Sequence, residues 1–243
     1  MKELRFDYSK LPYAADGDLG DRNRFNWRCE TLLTQNKSFI ESKTVLDLAC
    51  NNGRFSYPCL SLGAKKVIGV EARRELIDLG NQYLEDSALK DRMEFVEADI
   101  FDYLASAEPK SFNTILCFGF LYHTVRQVEF FRQIKRLSPD NVIIDTSVAT
   151  NYIWYGLKSF LGQPPMLLMI NENPNKTSDT TDEDGVAFWP TRPFLEAMFE
   201  TINYDYRQLN YKKSGLKDWL GLQDYKKGLR VSYIAHKNNN LMN

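Results

Sequence analysis

Short apolar runs alternate with amphipathic stretches between residues 44 and 147. TVLDLAC (44–50) is almost continuously apolar with a β-branched start, as expected of a strand covered on both faces. KKVIGVE (65–71), MEFVEADI (93–100), FNTILCFGF (112–120) and NVIIDTS (141–147) repeat that character and predict four more strands. Phe25, Cys29, Leu32 and Leu33 recur at helical spacing, predicting an amphipathic helix from Asn23 up to the first strand. A second helix is predicted over 54–62, with Pro58 tolerable only in its opening turns. RRELIDLGNQYLEDSAL predicts a third, with Leu76, Leu79, Tyr83 and Leu84 on one face, and VEFFRQIKRLS a helix between the last two strands. Parallel neighbours need a crossover, so this alternation argues for right-handed βαβ units and a mainly parallel sheet.

The alternation stops after Ser147. Residues 151–190 are aromatic at first and strongly polar later; WPTRPFLEAMFETI then resumes a helix with Thr191 as N-cap and Pro193 near its start. YDYRQLNY and GLRVSYIAHK read as two closing strands. The expected fold class is α/β: a Rossmann-like, doubly wound, mainly parallel seven-stranded sheet with an antiparallel last strand and an insertion forming a substrate cap. One domain is expected, divided into an N-terminal loop and helix (1–40), a core (41–150), the cap insertion (151–190) and the closing helix and strands (191–236).

Charge and composition narrow the picture. Among 243 residues, 31 lysines and arginines face 32 acids, and the net charge of -1 argues against a nucleic-acid partner, although KKSGLK or YKKGLR could form a local basic patch. No apolar run is long enough to span a bilayer, and MKELRFDYSK lacks the apolar core of a secretory signal, so a cytoplasmic protein with no membrane partner is expected. The four cysteines form no CxxC pair and stand beside only two histidines, so reduced thiols and no metal site are expected.

In an open α/β sheet the ligand sits at the carboxyl ends of the strands, which directs attention to VLDLACNNGRF. A pyrophosphate needs close backbone approach and several glycines there; Ala49 and Asn51 stand in their places and only Gly53 remains, which disfavours a dinucleotide. Asp47 precedes this loop, and Glu71, 24 residues on, ends the second strand where an acid can accept from a ribose diol. Asp99 ends the third, an acceptor suited to an exocyclic adenine amine. Each acid alone has a plainer reading, Asp47 as a helix cap and Glu71 and Asp99 as ordinary polar strand ends; together they suggest a nucleoside cradle.

VLDLACNNGRFS, GVEA, EADI and FNTILCFGFLYHT, in that order and spacing, resemble the class I S-adenosylmethionine-dependent methyltransferases over residues 40–150, with the closing helix and strands fitting the same ending. FGFLYHT, a long insert and FWPTRPFLEAMF are most similar to the branch containing tRNA wobble-uridine carboxymethyltransferases and many small-molecule methyltransferases. The resemblance implies S-adenosylmethionine as cofactor. It implies that Asp47 orients the amino-acid end, that Ala49, Asn51 and Gly53 wall it, and that Glu71 takes the ribose with Ala72 beside the adenine. Asp99 and Ile100 would address the adenine edge, and Phe118 and Gly119 would line the methionine portion.

His123 follows the fourth strand where a general base could face the transferred methyl group, with helix capping as its plainer role. Tyr122 and the insert aromatics Tyr152, Trp154, Tyr155, Phe160 and Trp189 are candidates for a substrate cavity and cap, while Arg24 and Trp27 could close over the cofactor or simply pack. The expected function is methyl transfer to an oxygen or nitrogen of a small molecule. The alternatives are (carboxy)methyl transfer to tRNA and a non-catalytic nucleoside-binding module.

Overall fold

The computed structural model describes residues 19–150, 163–173, 185–211 and 219–238. Five predicted strands form where the apolar runs lie: β1 (Thr44–Leu48), β2 (Lys66–Glu71), β3 (Met93–Glu97), β4 (Thr114–Phe118) and β5 (Asn141–Ser147). β4 is buried at every position and β1 at every position after Thr44, which explains their unbroken apolar character. With β8 (Tyr204–Gln208) and β9 (Arg230–Lys237) they make a seven-stranded sheet in the order β3-β2-β1-β4-β5-β9-β8. β1 to β5 are mutually parallel, whereas β9, the last strand in the chain, runs antiparallel to both neighbours. Strand order reverses between β1 and β4, the place where such sheets open a ligand crevice.

Helices cover both faces. Leu46, Leu48, Ile115 and Ile144 pack on one side against α4 (Ile100–Ser106), α5 (Gln127–Leu137) and α6 (Arg192–Thr201). Val45, Val67, Leu116 and Ile143 pack on the other against α1 (Leu19–Arg28), the turns after it and α2 (Ser56–Ser61). Thr191 caps α6 as expected, its side chain accepting from the Phe194 amide, and Pro193 lies in the first turn.

Three expectations need adjustment. The single helix from Asn23 is broken: α1 stops at Arg28, a wide π-turn spans Cys29–Leu33 and a tight 3-10 segment spans Thr34–Phe39. Asn36 donates to the Thr31 and Leu32 carbonyls at 3.0 and 3.1 Å, satisfying backbone groups the break would orphan, so Cys29, Leu32 and Leu33 stay buried. In α3 (Arg74–Leu84) the buried face is Ile77, Gly80 and Leu84, with Leu76, Leu79 and Tyr83 half-buried beside it. The helix presses its glycine onto β3: a Cβ on Gly80 would lie 2.5 Å from the Phe95 ring. Within the insertion, β6 (Leu167–Asn171) and β7 (Val186–Pro190) pair as an antiparallel hairpin that alternation did not reveal. It is tied to the carboxyl end of the sheet, because the Phe188 amide donates to the Thr124 carbonyl at 3.1 Å and the Ala149 amide to the Pro190 carbonyl at 3.0 Å. A short helix α7 (Gln223–Lys227) precedes β9. Among the described residues, no helix is long and apolar enough to cross a membrane.

Candidate active site

The loop leaving β1 explains how a glycine-poor sequence takes a glycine-loop shape. Ala49, Asn51 and Gly53 adopt φ of 54°, 56° and 84°, so every second residue sits in the left-handed region. Asparagine tolerates that region by local hydrogen bonding, and here Asn51 Oδ1 accepts from the Asn52 amide at 2.8 Å. Ala49 has no such help and costs about 1 kcal/mol there. The loop is held from beneath: the Cys50 amide donates to the Val70 carbonyl at 3.1 Å, and Gly69 makes room for the Cys50 thiol, which would stand 2.7 Å from a Cβ at that position.

The three acids occupy three successive strand ends, with different partners. Asp47 is buried in β1 and accepts from the Ser56 hydroxyl at 2.7 Å, which locks the start of α2 to the strand. Burial pushes its carboxyl up to about 7, against the Ser56 hydrogen bond, and the nearby Glu71 carboxylate adds to the rise. Glu71 is also buried; it accepts from the Asn51 amide at 3.0 Å and from the Arg73 amide and Nε at 3.2 and 2.8 Å. The same carboxylate thus fixes the loop and holds an arginine two residues away. Asp99 is the N-cap of α4, accepting from the Phe101 and Asp102 amides at 2.8 and 3.1 Å, and it stays exposed. Ala72 is exposed and Ile100 buried.

At the end of β4, Phe118 packs edge-on to Phe55 with centroids 5.0 Å apart, and Gly119 turns at φ 86° while its amide donates to the Asp145 carbonyl at 2.9 Å. His123 follows in a 3-10 turn. Its Nδ1 lies 2.7 Å from Glu172 Oε2, just beyond β6, so the hairpin and the β4 loop meet in a half-buried histidine–carboxylate pair. A carboxylate only accepts, which places a proton on Nδ1; in the neutral imidazole Nε2 is then the accepting nitrogen. Tyr122 lies against His123 at a ring separation of 4.0 Å and against Trp189 at 6.0 Å. His123, Tyr122 and Trp189 are therefore brought together, while Tyr152, Trp154, Tyr155 and Phe160 lie outside the described residues. Arg24 pairs with Asp224 at 2.7 Å and Trp27 packs on Tyr211 and Tyr225, so both are engaged with the α7 region.

Sequence reasoning missed a buried charge network behind this site. Asp145, in β5, accepts from Arg230 Nε, from the Tyr225 hydroxyl at 2.6 Å and from Arg28 Nε at 3.3 Å. Burial alone would raise the Asp145 carboxyl; Arg230, Arg28 and the Tyr225 hydroxyl outweigh it and hold the group down to about 2. Arg230 also reaches Tyr122, with Nη1 3.5 Å from the phenol oxygen. Arg28 lies over Phe55 at 4.6 Å, and its buried Nη2 has no hydrogen-bond partner. An acid within the apolar run NVIIDTS was the available signal, since a buried carboxylate demands a partner. The four cysteines are free and buried.

Residues 40–163 match the family model described as a methyltransferase domain, and the chain belongs to that family. It is built on the class I plan of S-adenosylmethionine-dependent methyltransferases, as the resemblance implied. A tRNA U34 carboxymethyltransferase of Nautilia profundicola is 30% identical over 116 residues, 45% of this chain and 36% of the relative. One from Helicobacter pylori strain HPAG1 is 26% identical over 121 residues, covering 47% and 46%. Each match spans less than half of the relative's length. Among solved structures, the N-terminal domain of EvdMO1 with SAH bound superposes with a TM-score of 0.61 at 15% identity, covering 90% of this chain and 81% of that one. Magnesium protoporphyrin IX methyltransferase of Synechocystis PCC 6803 gives 0.57 at 14% identity, covering 90% and 84%. These likenesses establish the shared fold.

One expectation is corrected by these relatives. The charge balance argued against a nucleic-acid partner, yet the matched curated proteins are named for tRNA modification. A chain-wide sum conceals local fields: Arg192, Lys226, Lys227 and Arg230 line one groove of this nearly neutral protein.

Proposed function

We propose that this chain transfers a methyl group from S-adenosylmethionine to an oxygen or nitrogen of an acceptor held beside His123. The observation that carries this reading is the loop 49–53, which reaches the alternating left-handed conformation of a glycine-rich loop while keeping the Ala49 and Asn51 side chains. Those side chains suit a ligand end without phosphates. The residues present fit the cofactor: Arg28 offers a buried, unpartnered guanidinium nitrogen for the methionine carboxylate, and Glu71 offers its carboxylate to the ribose. Asp47, bonded to Ser56, acts on the ligand by shaping the loop. When bound, the cofactor supplies an electrophilic methyl group.

Everything else falls to the protein. His123, turned by Glu172 so that Nε2 is free to accept, takes the acceptor's proton, while Tyr122 and Trp189 wall the approach. His123→Ala is expected to lower turnover by about a hundredfold while leaving cofactor affinity nearly unchanged. An undiminished rate removes His123 from the chemistry.

A small molecule suits a site hedged by the β6–β7 hairpin. A second reading, RNA as acceptor, is favoured by the names of the curated relatives and by the basic groove whose Arg230 reaches Tyr122. Incubation with labelled cofactor, fractionated metabolites and bulk tRNA, read by mass, separates the two. Label in neither fraction despite tight cofactor binding would favour a nucleoside-binding module.

A further inference from the structure

A groove of about 410 Å³ runs between the start of α6, the end of β8 and the turn from α7 into β9. Arg192, Lys226, Lys227 and Arg230 line it with Gln208, Asn210 and Tyr211, and among the described residues no acid lines it. Of the acids near it in sequence, Asp224 is held by both terminal nitrogens of Arg24 at 2.8 and 2.7 Å. Arg230 is paired from the core side with Asp145, so the charge the groove offers a ligand belongs to Arg192, Lys226 and Lys227.

The groove is shaped, not merely decorated. Gly228 turns at φ 71° to end α7, and a Cβ there would stand 2.6 Å from Arg192 Nη2. Glycine alone lets that guanidinium lie across the turn and donate to the Gly228 carbonyl at 2.9 Å. The turn also holds Lys226 and Lys227 exposed at the end of their helix. At its inner end, Arg230 belongs both to the groove and to the candidate active site, reaching Tyr122, which lies against His123. Arg230 is thus the residue through which the groove's lining adjoins the candidate active site.

We propose that this groove, through Arg192, Lys226 and Lys227, holds the phosphate backbone of an RNA acceptor whose reactive base is presented to His123. The proposal rests on the RNA reading above and adds the surface that reading needs. Phosphate contacts of this kind fix register without reading sequence.

The test measures binding of the full chain to bulk tRNA between about 50 and 200 mM salt. Lys226→Glu with Lys227→Glu is expected to weaken binding at least tenfold and to flatten the salt dependence by about two phosphate contacts. Lys226→Gln with Lys227→Gln is expected to lose less, in the same direction. Lys65→Glu with Lys110→Glu, exposed before the amino ends of β2 and β4, is expected to change little. Calorimetry with S-adenosylmethionine and the melting temperature of each variant report whether the fold is intact. Wild-type affinity in the folded Lys226/Lys227 variants, or an equal loss at Lys65 and Lys110, overturns the groove and leaves the RNA reading standing. A wild-type chain that binds the cofactor but ignores tRNA overturns both. Poly-glutamate competing as well as RNA would make the groove a general acidic-chain site and overturn the assignment.

Discussion

Two carboxylates buried to the same degree in one sheet behave oppositely. Asp47 in β1 and Asp145 in β5 are 1% and 0% exposed, yet one is driven up to about 7 and the other held near 2. Burial penalises the charged form of both. Asp145 meets two guanidiniums and a phenol, whereas Asp47 meets a serine hydroxyl and the like charge of Glu71. Neighbours decide the sign. Asp145 reads as a structural anchor for Arg28 and Arg230; Asp47 is a carboxyl whose charge is disfavoured beneath the ligand loop, the kind of local cost that gathers at functional sites.

The sharpest way to break this contrast is Asp145→Ala. It strands Arg230 and Arg28 in the interior, and a loss of about 3–5 kcal/mol in denaturant unfolding is expected. Because its folded carboxyl titrates below the unfolded one, its contribution of about 2 kcal/mol is present above pH ~4 and lost as pH falls toward 2. A loss under about 1 kcal/mol at pH 7 would mean that the arginines find other partners.

Asp47→Asn should act the other way. The folded carboxyl keeps a proton that the unfolded chain releases, so wild-type stability falls as pH rises from about 4 through about 7. Asparagine keeps an oxygen for Ser56 and sheds the charge, so the variant is expected to be roughly 4 kcal/mol more stable at pH 8 and little changed at pH 4. Parallel stability curves for variant and wild type would show that Asp47 carries no such burden.

The contrast was half legible in the sequence. Strands buried on both faces announce themselves as continuous apolar runs, so β1 to β5 and the acids at or near the ends of the first three could be placed from TVLDLAC, KKVIGVE and MEFVEADI. The partners could not. Asp145 meets Arg28 and Arg230 across 117 and 85 residues, and nothing in NVIIDTS says which cation will arrive. The hairpin was hidden for a different reason: β6 leaves Leu168 and Met169 exposed, so it shows neither a buried run nor a clean alternation. The loop's φ pattern was not legible, because Ala49 and Asn51 look like departures from a glycine motif yet take up its backbone.

Glu71 gives the smallest and most discriminating test, because it lies between the two extremes: buried like both, but paired with Arg73, whose side chain remains partly open to solvent at 23%. Arg73 Nε holds Glu71 Oε1 at 2.8 Å, on the carboxylate the ribose hydroxyls would use. If the arginine and the ribose compete, Arg73→Ala should bind S-adenosylmethionine a few-fold more tightly, because no ion pair has to be opened first. The same substitution leaves Glu71 facing Asp47 without its cation, so the unliganded protein should melt lower and gain more from added cofactor than wild type does. Calorimetry and thermal unfolding of the same preparations read both effects. A weaker affinity with unchanged melting would reverse the assignment: Arg73 would then hold Glu71 in position for the ribose or touch the cofactor itself, and the ion pair would belong with the anchoring kind seen at Asp145.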